Sequence, residues 1–276
     1  MAQALADVIL QVPAFAEASE SQVHTLSAAS RMRRVRAQEL IYAPGEQDSC
    51  YIIEIGRAKL VLKVRNGDMF LHLVRPGELF GTESFWEVSP HVFAIAVEPC
   101  SVVQIRGEAV RRFLEASPEA CMRLMQQGAF AQRLLLDRMQ DMVTLSVPQR
   151  LVRFLIFLGN QYGIKRPDGS ILIDVGLTHQ DLGVSVGTGR ETATTLLNDL
   201  KAEGLLVIGR KMLTLLDASA MLAKHGAPYL PMGQAGWSGA GLLSLGGDGN
   251  GSVSQSTGLG PKGTGGESED NGVRGR

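Results

Sequence analysis

The sequence predicts an α+β protein in three pieces: an N-terminal antiparallel β jelly-roll barrel, one long helix, and a compact C-terminal unit of helices closed by a β-hairpin. Three observations carry this reading. Short apolar runs broken by turn signals fill residues 39–105. A heptad pattern fills 118–145. Two capped apolar helices flanking a glycine turn fill 178–202.

In the first region Leu40-Ile41-Tyr42 stops at Pro44-Gly45, and Tyr51-Ile52-Ile53 leads to Gly56. Lys59 to Val64 runs into Asn66-Gly67 before Met69 to Val74. Asn-Gly between two such runs signals a tight hairpin whose two central residues take positive φ. Pro76-Gly77 is another turn, and Val92 to Val97 and Ser101 to Ile105 add two strands. Six or more short strands at this spacing read as a sandwich or jelly roll.

The helical regime starts near Glu108. Ser117-Pro118-Glu119 opens a helix, because Ser caps and Pro suits the first turn. It runs to about Leu145, roughly 28 residues or ~42 Å. Cys121, Met125, Gly128, Gln132, Leu135, Met139 and Met142 follow coiled-coil spacing, with Ala129, Leu136 and Val143 widening the stripe. That length exceeds what a small barrel covers, so the seam is expected to pair two copies of the chain. Gly128 and Gln132 weaken its middle, where a ligand or a rearrangement has room to act.

Pro148 to Tyr162 forms the next helix, and Ile171 to Val175 a short strand. Thr178 with Asp181 three residues later is a capping-box start, and Leu182 and Val186 give that helix its apolar face. Gly187 makes the turn. Thr188 with Glu191 is expected to start the second helix in the same way. Its inner residues are Ala193, Leu196, Leu197 and Leu200, and its outer face carries Arg190, Glu191, Thr194, Thr195 and Asn198. Leu205 to Leu216 reads as two strands around Gly209-Arg210-Lys211. Helix, glycine turn, helix and hairpin make a winged helix-turn-helix, whose second helix fits the major groove of double-stranded DNA. Arg190 can pair with guanine and Glu191 with cytosine N4. Thr194 and Thr195 suit a thymine methyl or a phosphate. Thr178, His179, Thr188, Gly189, Arg210 and Lys211 complete the expected DNA surface.

Composition narrows the alternatives. With 27 Lys+Arg against 28 Asp+Glu the net charge is −1, so any nucleic-acid affinity rests on local clusters rather than bulk charge. Three cysteines without a CxxC pair argue against structural zinc, iron–sulfur clusters and a disulfide framework. No apolar run approaches the ~20 residues of a membrane span, and the first basic residue is Arg31, so a cytoplasmic protein without contact to membranes is expected. An enzyme is not expected: no nucleophile–base constellation is present. His72 and His91 stand apart without a His-x-His pair, which also argues against a metal-binding barrel, and no metal site is expected. The remaining alternative class is a protein-interaction sensor that does not bind DNA. Gly226 to Arg276 holds 16 of the 32 glycines and no apolar period, and is expected to be a disordered tail.

The order barrel, long helix, winged helix-turn-helix resembles the cyclic-AMP receptor protein / fumarate-nitrate regulator (CRP/FNR) family of bacterial transcription factors, over residues 20–220. Val186 to Thr192 is similar to its recognition-helix signature. Gln149 to Leu155 and Leu177 to Gln180 look like the cyanobacterial nitrogen-regulator branch. The resemblance implies a homodimer reading a near-palindromic site, with Arg190 and Glu191 as base readers and RNA polymerase as a partner. The family's frequent second arginine is Thr195 here. The expected division is then a cyclic-nucleotide-binding-like sensor domain (1–107), a dimerisation helix (108–145) and a DNA-binding domain (146–225), ahead of the glycine-rich tail (226–276). Gly77 to Phe85 looks like the family's phosphate-binding turn, so the effector residues carried over are Phe80, Gly81, Thr82, Glu83, Ser84, His91 and Val92. Thr82 stands where cyclic-nucleotide binders have Glu, and no Arg lies between Arg75 and Arg106. Cyclic AMP is therefore disfavoured. Another small effector, such as a keto-acid anion, and regulation without any effector both remain open. Haem is disfavoured because His72 has no matching cysteine.

Overall fold

The structure, a computed structural model, describes residues 2–43, 48–82 and 92–225. Pro44-Gly45, Glu83, Ser84, His91 and the 226–276 tail fall outside the described residues.

The chain opens with α1 (Ala2–Leu10), a 3-10 turn (Pro13–Phe15) and α2 (Glu20–Ala28). Ser19 and Gln22 cap α2 reciprocally. Strands β1 (Ser30–Val35), β2 (Leu40–Tyr42), β3 (Ser49–Ile55), β4 (Ala58–Val64), β5 (Gly67–Val74), β6 (Leu79–Phe80), β7 (Val92–Ala96) and β8 (Cys100–Arg106) follow. They form two antiparallel sheets, ordered β1-β8-β3-β6 and β2-β7-β4-β5. Tyr42, Tyr51 and Phe80 stack between the sheets with centroids 5.6 and 5.5 Å apart. The opening helices cover the outer face of β3 and β8 with Leu5, Ile9, Phe15 and Leu26.

Three features depart from the expected barrel. Residues 2–28 hold two helices and a 3-10 turn and β1 is a strand, none of which the apolar pattern showed: Ser-Arg-Met-Arg-Arg-Val is an edge strand with Arg31 and Arg34 exposed. The β4–β5 hairpin forms, but Val64 pairs with Gly67, so its loop is Arg65-Asn66 rather than Asn66-Gly67. Gly67 alone takes positive φ (+137°) and Asn66 does not.

Next come α3 (Gly107–Glu115), α4 (Pro118–Thr144) and α5 (Val147–Tyr162). Ser146 and Gln149 form a capping box that starts α5 two residues after α4 stops. The rest is β9 (Ile164–Lys165), β10 (Ile171–Ile173), α6 (His179–Ser185), α7 (Arg190–Ala202), β11 (Leu206–Ile208), β12 (Leu213–Leu215) and α8 (Ala218–His225). The wing is a four-stranded sheet, β11-β12-β10-β9, rather than a lone hairpin, and α8 is a further helix that the sequence reading lacks. Phe70 and Leu73 of β5 belong to the same apolar core as Phe154, Leu158, Leu182 and Leu197. The barrel and the helix-turn-helix therefore share one core.

Candidate nucleic-acid interface and effector cavity

The helix-turn-helix is built by local chemistry. The Thr178 hydroxyl accepts from Asp181 N at 3.1 Å, and Asp181 Oδ2 accepts from Thr178 N at 3.0 Å. Gly187 turns the chain at φ +73°, and Thr188 N donates to Gly183 O at 2.8 Å. The second helix does not start as expected: its cap is Gly189, with no side-chain bond from Thr188. Gly183 is a functional position that the sequence reading passed over. A Cβ there would stand 2.8 Å from Gly189 O and 3.2 Å from Ala193 Cβ, so only glycine lets α6 and α7 cross this closely.

Ala193, Leu197 and Leu200 are buried beneath α7. Arg190, Glu191, Thr195 and Asn198 are exposed on its outer face, and Thr194 is half-buried. Thr194 and Thr195 donate their hydroxyls to Arg190 O and Glu191 O. His179 Nδ1 lies 3.1 Å from Thr194 Oγ1. Because that hydroxyl proton goes to Arg190 O, Nδ1 is the donor. Burial, then the Arg190 charge, holds His179 below the usual imidazole range. Thr178, Gly189, Arg210 and Lys211 are exposed and Thr188 is half-buried. Lys211 sits at φ +59° in the wing loop, where Gly209 N donates to Met212 O at 2.8 Å.

Of the expected seam on α4, Met125, Gly128, Gln132, Leu135 and Met139 are exposed, whereas Cys121 and Met142 are half-buried. Met125 and Met139 are 63% and 65% exposed, and Gln132 is exposed with them. The outward stripe continues through Met122, Ala129, Leu136 and Val143, while Leu135 lies on its flank. Cys121 is half-buried. Gly128 is exposed, and a Cβ there would meet nothing within 4 Å. Met142 belongs elsewhere: its sulfur would stand 3.0 Å from a Cβ on Gly187, against the turn. Leu124, Leu134 and Arg138 face inward and fix which edge of the apolar band is free.

A cavity of about 250 Å³ lies between barrel, α4 and the end of α5. Phe80, Gly81 and Thr82 line it, together with Gly128 of α4, whereas Val92 does not. Its polar wall comes from residues that the sequence reading did not select. Glu78 Oε2 lies 3.0 Å from His72 Nε2, and Glu78 Oε1 accepts from Arg75 Nε at 3.1 Å. Tyr162 Oη lies 3.0 Å from His72 Nδ1. Burial pushes the Tyr162 phenol up, so it stays protonated. Arg75 is thus a guanidinium at a cavity where none was expected. The signal was present in Arg75-Pro-Gly-Glu78, but Tyr162 joins it from a distant helix.

Charged groups hold the helix-turn-helix on the barrel. Arg57 binds Glu98 at 2.9 and 2.8 Å and Asp174 Oδ2 at 3.0 Å. These bonds, Glu98 first, raise Arg57 above the usual guanidinium value, and Arg57 lowers Glu98 in return. Lys59 Nζ lies 3.4 Å from Asp181 Oδ2, with side chains only 5% and 10% exposed. Arg138 of α4 donates to Phe70 O at 2.6 Å and to Ser185 O at 3.1 Å. Burial draws Arg138 down to about 10, which leaves it charged at neutral pH.

Among the described residues no His/Cys/Asp/Glu group could hold a metal ion, and no helix is long and apolar enough to cross a membrane. Residues 149–224 match the Crp-like helix-turn-helix domain and 32–117 the cyclic nucleotide-binding domain. The chain is 30% identical over 187 residues to the global nitrogen regulator of Synechococcus elongatus, covering 66% of this chain and 83% of that one. It is 24% identical to the CRP-like cAMP-activated global transcriptional regulator of Mycobacterium tuberculosis, with 66% and 82% covered. Among solved structures, a CRP-family transcriptional regulator of Thermus thermophilus superposes with TM-score 0.57 at 25% identity, covering 71% of this chain and 97% of that one. FixK2 of Bradyrhizobium japonicum shares the fold, with TM-score 0.61 at 19% identity and 73% and 99% covered.

Proposed function

This chain belongs to the CRP/FNR family of transcription regulators, and from that premise we propose that two copies, paired along the outer face of α4, read a near-palindromic DNA site through α7. The protein is a sequence-specific DNA-binding transcriptional regulator. The observation that carries the finer reading is the exposed pair Arg190 and Glu191 at the start of α7, held by the α6 capping box and the Gly183 crossing. Residues near a recognition helix's N-terminus reach base edges, and two such helices fit half-sites about one DNA turn apart. On this reading Thr188, Thr194, Thr195 and Asn198 border the base readers. Thr178, His179, Gly189, Arg210 and Lys211 position the backbone. Residues 1–107 act as sensor, 108–145 as dimer helix and 146–225 as DNA reader. The work is done in the cytoplasm, with RNA polymerase as the downstream partner and no catalysis.

The cavity is the seat of a small effector. Arg75, His72 and Tyr162 on its wall suit an anionic or hydrogen-bonding ligand. A thermal-shift screen with cyclic nucleotides and keto acids identifies the class. For DNA, duplexes selected from a random pool by the full-length protein supply the site. Arg190→Ala then loses roughly 1–3 kcal/mol of discrimination at one base position. Unchanged discrimination would sink the assignment of α7.

A further inference from the structure

The barrel reaches the DNA-reading unit at the β4–β5 loop. Gln180 of α6 donates its Nε2 to Asn66 O, and a Cβ on Gly67 would stand 3.0 Å from Gln180 Cγ and 3.3 Å from Val184 Cγ2. From there a chain of contacts leads to the recognition helix. Gln180 follows His179, His179 bonds Thr194 at 3.1 Å, and Thr194 bonds the Arg190 carbonyl at 2.8 Å. The hairpin is fixed in this place by the Lys59–Asp181 pair and by Phe70 N donating to Ser185 Oγ at 3.0 Å.

The loop is basic and uncommitted. Arg65 is exposed and makes no ion pair among the described residues. Lys63 is exposed, its Nζ 4.9 Å from the centroid of the Phe93 ring rather than on a carboxylate. The nearby acid, Asp68, turns instead to Lys59 at 3.9 Å. Lys63 and Arg65, cations without a described carboxylate partner, thus stand three residues and one residue from Asn66, whose carbonyl takes the bond from Gln180 of α6. A duplex laid on α6 and α7 is a polyanion that complements them.

We propose that the β4–β5 hairpin of the barrel is part of the DNA-binding surface, with Lys63 and Arg65 neutralising backbone phosphates beside the half-site read by α7. This rests on the placement of DNA against α6 and α7 given above. The contacts add affinity and register but no sequence information, because phosphates are alike at every base pair. They also tie the sensor domain to the DNA directly, without passing through the helix-turn-helix.

The test measures affinity against salt for the full-length protein, on the selected duplex and on an unselected one. Each neutralised phosphate contributes about −0.9 to the slope of log K against log salt. Two per protomer in a dimer make Lys63→Ala/Arg65→Ala shallower by roughly 2–4, with affinity down about tenfold or more at moderate salt. Base discrimination on the selected duplex stays as in the wild type. Lys63→Arg/Arg65→Lys keeps the wild-type slope, and thermal melting checks that both variants are folded. A slope within error of wild type for the alanine pair, on both duplexes, overturns the proposal. Loss of discrimination in the wild type or its persistence in Arg190→Ala overturns the α7 reading instead. The unselected duplex tests the hairpin even then.

Discussion

Strand β5 and the outer face of α4 lie on opposite sides of the same helix and finish their surfaces in opposite ways. Against β5, polar groups are closed off inside the chain: Phe70 gives its N–H to Ser185 and its carbonyl to Arg138, and Lys59 nearby meets Asp181. On the outer face of α4, Met125, Leu136 and Met139 stand 63, 53 and 65% exposed, and none of the described residues covers them. The first surface is complete in one copy. The second is left open in one copy, as the proposed pairing requires. One tertiary contact sets the placement of the DNA reader, and on the proposed pairing a different, intermolecular contact sets the spacing between two readers.

The largest expected effect breaks the finished side. Asp181→Ala removes a helix cap worth about 1 kcal/mol and leaves Lys59 buried beside Asp68 alone at 3.9 Å. Removing one partner of a buried pair costs about 3–5 kcal/mol, and the residual Asp68 contact keeps this near the low end, so that with the cap the loss is about 4 kcal/mol. Urea unfolding measures it. Adding Lys59→Met removes the stranded charge and recovers part of the loss. A loss under about 1 kcal/mol, or no recovery, would mean that water screens the pair and the junction is not closed.

The next effect breaks the unfinished side. Met139→Glu leaves the folded protomer intact, because the side chain faces outward. It sets like charges across the seam and weakens the dimer about 100-fold, or ~2.7 kcal/mol. Sedimentation should show monomers at concentrations where the wild type is dimeric. Unchanged dimers would move the pairing surface elsewhere.

These two surfaces also show what a sequence displays and what it hides. The helix-turn-helix was legible because its signals are local: Thr178 and Asp181 are three residues apart, and Gly187 marks the turn that it makes. The start of α7 was misread because Thr188 and Glu191 imitate a capping box, while the backbone puts Gly189 at the cap. On α4 the sequence shows an apolar band wide enough for two neighbouring seams. Choosing between them takes the inward contacts of Leu124, Leu134 and Arg138, which no spacing reveals. Strand β1 was hidden by its arginines, and the cavity by distance along the chain, since Tyr162 meets His72 across 90 residues.

The smallest effect concerns His179, which borders both helices. In the free protein burial, then the Arg190 charge, holds its pKa below the ordinary imidazole value, which favours the neutral ring. In the unfolded chain it titrates near its ordinary value of about 6.5. The fold therefore loses a little stability as pH falls from that value to the lower folded pKa, and nothing above it. A phosphate brought near raises its pKa, so DNA binding takes up a proton and affinity rises as pH falls through this window. His179→Asn flattens that rise. A pH profile identical in the variant would show that the imidazole stands away from the backbone.

Arg138 ties three bodies at one point. It stands on α4, grips a carbonyl of the barrel and one of α6, and lies with its Cζ 5.0 Å from the centroid of the Phe154 ring of α5. A swing of the reading head that left the long helix behind would strip this guanidinium of an acceptor in a place too dry for solvent to replace it. Head and helix must then travel as one lever. On the proposed function, a displacement at the cavity end would arrive at the DNA as rotation about a common pivot, and in a symmetric pair would turn both heads at once.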